Sequence, residues 1–286
     1  MRIRHIADAP TSGASAHRAG GISFVHLMEG DEGAPDNFAL TIVDIADGYV
    51  TPRHRHNFEQ LRIMLDGNFE FGPDLKQEPG SVGYFCEGTY YTQRGVGSSK
   101  TLLLQVAGAS GAGYLSQALM RKTIEALQQR GTFSNGVFTW EEDGKRHNKD
   151  GYEAAWEAAN GRTIAYSAPR YNAPILMNPD HFGFVSLTPG VDRKFLGRFN
   201  ERGLDVAQLR MAAGTRYRID ATDQPILLYA LSGAGNLADS QWFTGSTTWA
   251  ERGDVLELAA EDDALFYMIG LPVFDQASVS FDKRAA

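Results

Sequence analysis

The sequence predicts an all-β protein built as two tandem barrels with a helical connector between them. Three observations carry this expectation. Short runs rich in β-branched and aromatic residues (ISFVHLMEG, NFALTIVDI, LRIMLDG, NFEFG, SVGYFC, TLLLQVAG) are separated by Gly, Pro, Asp and Asn, the rhythm of a sandwich or barrel. Near Gly113 the apolar period becomes helical. Beyond that stretch the landmarks of the first half return at a fixed offset, which marks an internal repeat.

Taken in order, residues 1–20 are small and polar and read as a loosely held arm. The β-rich half follows. In YLSQALMRKTIEALQQRG, Leu115, Leu119, Ile124 and Leu127 recur at helical spacing, Ser116 is placed as N-cap and Gly131 follows the end. A second helix is expected over Tyr152–Asn160, with Asp150 ahead of it, and the polar EEDGKRHNKDG between the helices reads as an exposed loop. The expected domains are therefore 1–112, a first barrel; 113–168, the connector; and 169–286, a second barrel. The repeat is specific: Gly48 and Gly214 stand 166 residues apart, as do Leu65-Asp66-Gly67 and Leu231-Ser232-Gly233. NFALTIVDIADG falls on GLDVAQLRMAAG without a gap, and Pro79-Gly80-Ser81 matches Arg252-Gly253-Asp254 after a short insertion.

Composition bounds the function. The formal net charge is -8 over 286 residues, which argues against nucleic acid, because phosphate binding needs a basic face. A single cysteine, Cys86, excludes an internal disulfide framework and fits a reducing cytosol; it reads as a small packed side chain. The first residues hold no apolar run of a signal peptide, and no stretch approaches the about 20 apolar residues of a membrane span. A cytoplasmic protein acting on a small molecule is expected.

The candidate site lies in TPRHRHNFEQLRIMLDG. His54 and His56 share strand parity, so on a β-strand both imidazoles point to one face, the start of a divalent-metal site. Gln60 and Arg62 keep that parity. A buried guanidinium needs a partner: either a substrate carboxylate or enolate, or an internal ion pair with Asp or Glu. Gln105 interrupts an apolar run and is placed facing a ligand. His26 shares a face with Ile22 and Phe24. His5, His17, His147 and His181 read as ordinary core or surface residues.

The order Gly48, five residues, His-x-His, Gln60 and six residues to Gly67 resembles the first motif of the cupin superfamily, and Pro79-Gly80 resembles the start of its second. The resemblance implies tandem double-stranded β-helix (jelly-roll) barrels, a bicupin, and covers residues 22–108 well and 182–272 weakly. The family pattern places Glu where this chain has Gln60, and a His where it has Tyr91, eleven residues after Gly80. The neighbouring Tyr90 leaves the register open by one and is a substrate-side candidate. The implied ligand set is His54 and His56, with Gln60 and Tyr91 or water completing the shell, or with His26 or Glu59 substituting; the third reading is a polar cluster without metal. Fe(II) is the implied ion, with Mn, Ni or Zn as alternatives.

The run from His54 to Gly67 also resembles gentisate-type ring-cleaving dioxygenases, which implies an Fe(II)-type dioxygenase acting on a small acidic or aromatic metabolite. Two readings stand beside it: a non-oxidative isomerase or lyase in which Tyr91 or His26 moves a proton, and a catalytically inactive small-ligand binder. In the second half Asp220, Thr222, Ile226 and Leu228 fall on His54, His56, Gln60 and Arg62, so the second barrel is expected to be metal-free. Two assemblies are open: a homodimer through sheet edges, or two barrels that mimic such a dimer within one chain.

Overall fold

The computed structural model describes residues 1–18, 20–32, 34, 36–108, 114–220 and 223–274. The expected boundary at 112 and 113, and Thr222, lie outside the described residues. Contacts divide the chain into Pro10–Leu176 and a second unit made of Met1–Ala9 with Met177 onward.

The chain runs β1 (Arg2–Arg4), β2 (Thr11–Gly13), β3 (Ile22–Glu29), β4 (Phe38–Ile45), β5 (Val50–His54) and β6 (Phe58–Asp66). Then come β7 (Phe69–Gly72), β8 (Leu75–Gln77), β9 (Val82–Phe85), β10 (Tyr91–Gly95) and β11 (Ser99–Ala107). The connector holds α1 (Gln117–Gln128), β12 (Gly131–Ser134), β13 (Val137–Glu142), β14 (Lys145–Asp150), α2 (Gly151–Asn160) and β15 (Ile175–Met177). The second half has β16 (Val185–Thr188), β17 (Val191–Arg198), β18 (Asp205–Met211), β19 (Arg216–Ile219) and β20 (Ile226–Ser232). It ends with β21 (Ala234–Leu237), β22 (Ser240–Phe243), β23 (Thr247–Ala250), β24 (Leu256–Ala260) and β25 (Ala264–Gly270).

The repeat is present in the strand order itself. The first half forms the sheets β15-β9-β6-β11-β4-β3-β2 and β5-β10-β7-β8; the second forms β1-β23-β20-β25-β18-β17-β16 and β19-β24-β21-β22. Each strand of one half has its counterpart at the same place in the other. The landmark glycines explain why the alignment holds: Gly48 and Gly214 both have φ of +74°, and Gly67 (+67°) and Gly233 (+96°) also lie in the left-handed region, which side chains avoid. At Gly67 a Cβ would also stand 2.2 Å from the Ser98 carbonyl oxygen.

In the first half both sheets contribute to one interior, Val43, Met64 and Leu103 from one meeting Phe69, Phe71 and Tyr91 from the other. The second barrel is filled by aliphatic and aromatic side chains, among them Leu209, Ile226, Leu228, Trp242 and Phe266. Ile226 and Leu228, the counterparts of Gln60 and Arg62, are core residues there; Asp220 is exposed and paired with Arg218.

Two expectations need correction. The opening residues are not a loose arm: β1 pairs with β23 (Arg2 opposite Trp249) and β2 pairs with β3 (Thr11 opposite Val25). Main-chain pairing at sheet edges holds them although their side chains are small and polar. Nor is EEDGKRHNKDG a loop, because β13 and β14 pair through Glu142 opposite Lys145. Asp143 and Gly144, at φ of +51° and +71°, make the Asp-Gly turn that closes a tight hairpin. The helices start at their caps: Ser116 Oγ accepts from Leu119 N–H at 3.1 Å, and Asp150 Oδ1 from Glu153 N–H at 3.0 Å. Their apolar faces, with Met120, Ile124, Ala155 and Trp156, pack on Ala39 and Phe58 of the first barrel, so the connector walls that barrel's cavity.

Candidate functional site

The first barrel encloses a cavity of about 380 Å³. β6 supplies Gln60 and Arg62, whose shared parity turns both inward, and cross-strand pairing sets Gln105 of β11 beside Gln60. Tyr49 and Gln93 line it as well, and the connector adds Tyr114, Tyr152 and Met120. The opening arm adds His17 and Arg18. Apolar walls come from Ile22, Phe24, Val43, Phe58 and Leu103.

Arg62 is the dominant charge. It is 2% exposed. Its Nε donates to Gln60 Oε1 at 3.0 Å, and the guanidinium lies over Phe69 at 4.5 Å from the ring centre. Among the described residues no carboxylate pairs with it: the groups that bear on its ionisation are its burial, which lowers its pKa, then Tyr91, Tyr49 and Arg18. Of the two readings of Arg62, the internal ion pair with Asp or Glu finds no partner among the described residues. Gln60 Oε1 also accepts from Tyr91 O–H at 3.1 Å, so its oxygen is already engaged by two donors.

His54 and His56 come together, ring centres 4.9 Å apart and nearly perpendicular, but not by the expected route. β5 ends at His54, so His56 sits in the turn before β6, where strand alternation no longer applies. His56 lines the cavity and stacks on Phe58 at 4.4 Å; His54 is not among the lining residues. His54 Nδ1 donates to the Pro52 carbonyl at 2.8 Å, which leaves its Nε2 as the lone-pair nitrogen. That Nε2 and His56 Nδ1 are buried with no hydrogen-bond partner among the described residues. Burial first, then the Arg18 charge, lowers the His54 pKa to about 3, and burial first also holds His56 well below its usual value. Both rings are neutral near pH 7.

The remaining candidates separate. Tyr91 faces inward from β10 opposite His54, its ring 4.6 Å from that imidazole. Tyr90, the residue before β10, is 44% exposed with Arg53 stacked on it at 3.9 Å, and it is not among the residues that line the cavity. His26 does not line the cavity: its Nε2 bonds Ser12 Oγ at 2.8 Å, on the arm that covers β3. Gln105 lines the cavity and accepts from Tyr114 O–H at 3.3 Å. Cys86 is buried with Sγ 3.0 Å from Thr89 Oγ1. Sequence reasoning missed Arg18 and placed His17 among ordinary histidines. Neither is marked by a motif, because the arm's course over the cavity is set by pairing of β2 with β3.

A divalent ion meets two suitable donors here and little else. The two bare imidazole nitrogens fit it. Gln60 does not as it stands, since Arg62 and Tyr91 occupy its oxygen. Among the described residues no group of three His, Cys, Asp or Glu side chains could hold a metal, and the guanidiniums of Arg18 and Arg62 oppose a cation. Among the described residues the donors do not complete a metal site.

No protein-family model and no curated protein matches the chain. Solved structures do. A proposed dioxygenase from Nostoc punctiforme superposes with a TM-score of 0.61 at 11% identity, covering 94% of this chain and 81% of that one. The pirin YhhW of Escherichia coli, solved with nickel(II), gives 0.57 at 9% identity and covers 96% and 99%. Oxalate decarboxylase of Bacillus subtilis gives 0.60 at 11% identity and covers 94% and 76%. With the strand orders above, these place the chain in the cupin fold. It carries that fold in two tandem copies, a bicupin.

Proposed function

We propose that the N-terminal barrel binds a small organic acid, with a carboxylate or enolate held by Arg62. The carrying observation is a fully buried guanidinium that faces the cavity and has no carboxylate partner among the described residues. Leaving a charge so placed costs several kcal/mol unless an anion completes it, and a guanidinium–carboxylate contact is the geometry that does so. Gln60 fixes the guanidinium plane through Nε, while Gln105 and Tyr49 offer further polar contacts along the wall. Titration calorimetry with a panel of small carboxylates tests this: at least one binds the whole chain, and Arg62→Gln weakens it about tenfold or more. A panel in which Arg62→Gln binds every acid as well as the wild type overturns the reading.

A second reading is favoured by the unpartnered nitrogens of His54 and His56. In it the protein is a metal-dependent oxidoreductase, an Fe(II)-type dioxygenase on a small acidic or aromatic metabolite, as the gentisate-like first motif implies. The acid would then have to bring the donors and negative charge that Gln60 and Tyr91 do not. The pirin's nickel and the fold's use by decarboxylases keep this reading open in kind. Metal analysis after purification from iron-rich medium decides it, since bound metal lost in His54→Ala supports it and metal-free wild-type protein ends it. A cytoplasmic location and a homodimer remain proposals; no helix among the described residues is long and apolar enough to cross a membrane.

A further inference from the structure

Arg18 has no part in the motif that singled out Arg62, yet both line the same cavity. The arm places it there. β2 is fixed to β3 through Ser12 opposite Phe24, and the following turn closes with Arg18 N–H donating to the Ser15 carbonyl at 2.8 Å. His17, 8% exposed and bonded to Ser15 Oγ at 2.8 Å, anchors the turn. Arg18 thus reaches the cavity from a held segment.

The charges around the cavity do not balance. Its lining holds Arg18, Arg62 and Arg121 against a single carboxylate, Glu125, and both Arg121 and Glu125 lie on the exposed face of α1. Arg18 and Arg62 line the same cavity, so both charges sit within range of one bound molecule. Two guanidiniums sharing a partly apolar cavity repel each other, and a single carboxylate can neutralise one of them.

Building on the acid-binding reading, we infer that the ligand is a dianion, with two carboxylates or a carboxylate and an ionised enol, spanning Arg62 on β6 and Arg18 on the arm. Arg62 binds the common carboxylate, and Arg18 selects acids that carry a second anionic group. The cavity of about 380 Å³ matches the liquid volume of roughly a dozen waters at about 30 Å³ each, room for a small diacid. Ile22, Phe24 and Leu103 suit an apolar body between the two charged ends.

The test uses matched pairs with equal apolar bodies, succinate against butyrate and phthalate against benzoate, titrated calorimetrically into the whole chain near neutral pH with EDTA present. In at least one pair the dianion binds about tenfold or more tighter. Arg18→Gln brings that dianion to the monoanion's affinity and leaves the monoanion within about twofold, while Arg18→Lys falls between. The unliganded Arg18→Gln protein melts within about 2 °C of wild type, since Arg18 is only half-buried and its side chain packs no core. Equal affinity within both pairs, or an Arg18→Gln loss shared equally by dianion and monoanion, overturns the inference. In those cases the acid-binding reading survives if Arg62→Gln still weakens the monoanion. If neither acid of either pair binds the wild type, both fall together.

Discussion

Replacing Arg62 with Met should make the protein more stable and, at the same time, weaken its affinity for acids. The reasoning starts from the guanidinium's surroundings. Burying it costs several kcal/mol of lost hydration. Against this stand hydrogen bonds to Gln60 Oε1 at 3.0 Å and to the Tyr91 hydroxyl, and the rings of Phe69 at 4.5 Å, Phe85 at 5.4 Å and Tyr91 at 5.6 Å. A hydrogen bond involving a charged group returns about 1.5–3 kcal/mol and a desolvated cation–π contact about 2 kcal/mol. Replacing buried charged groups that lack a full counter-charge by apolar side chains of similar volume commonly stabilises by about 1–4 kcal/mol, and about 1–3 kcal/mol of that is expected here. Met has nearly the same length, an adaptable thioether for the Phe69 and Phe85 rings, and no charge to desolvate. Gln60 keeps Tyr91 as its donor at 3.1 Å. For a unit of this size each kcal/mol moves the melting temperature by about 2–4 °C, so Arg62→Met should melt roughly 2–12 °C higher by calorimetry. The same substitution removes the contact to the bound carboxylate, worth about 1.5–3 kcal/mol, and so weakens binding about 10- to 100-fold. A variant that melts lower than wild type would show that the guanidinium has a structural partner in the empty protein, and the argument for an acid ligand would lose its foundation.

Other outcomes follow from the same geometry. His17 keeps a pKa of about 3 through burial and then the Arg18 charge, whereas the unfolded chain protonates it near 6.5; the unfolded state therefore binds more protons between those values and stability falls as pH drops. Going from about pH 7 to about pH 5.5 should cost about 1 kcal/mol for His17 alone, so His17→Gln should lose less stability over that interval in urea titrations. A His17→Gln protein with an unchanged acid slope would contradict the buried neutral ring. Gly67→Ala should cost about 3 kcal/mol, because its Cβ would strike the Ser98 carbonyl at 2.2 Å, while Gly48→Ala, with nothing within 4 Å, should cost only about 1 kcal/mol for its left-handed backbone. Equal melting points for the two variants would refute that ranking. Ser116→Ala removes the acceptor for Leu119 N–H and should cost about 1 kcal/mol, read as faster hydrogen exchange in the first turn of α1; unchanged exchange would show the cap to be idle.

The architecture was legible because backbone demands leave strong marks. Gly48 and Gly214 recur where positive φ is required, and Ser116 and Asp150 sit where helices need acceptors, so the barrels and both helices could be placed from residue types alone. The β13–β14 hairpin carried its mark too, in Asp143-Gly144, and was hidden by the polarity of its exposed strands. The site was legible only where it lay on a regular strand. Gln60 and Arg62 followed β6 parity into the cavity, and Gln105 followed β11. His56 lies beyond the end of β5, so its closeness to His54 comes from a turn that alternation does not describe. Tyr90 and Tyr91 differ by one position, and only the β10 register decides which faces inward. Arg18 could not be found from its neighbours in sequence, because it reaches the cavity through the pairing of β2 with β3.

The second barrel supplies the control for the first. The two share strand order, turn glycines and register, so a residue that the fold itself requires should appear in both. Gln60 and Arg62 become Ile226 and Leu228, packed with Leu209, Trp242 and Phe266 in a filled interior. The barrel therefore closes without a polar pair at these positions, and closes on apolar side chains at lower desolvation cost. A buried amide and an arginine without a carboxylate partner in the first barrel are then held against the preference of the fold for apolar filling. What the second barrel gives up along with them is polarity in its interior, as expected if the acid proposed for Arg62 is met by the first barrel alone.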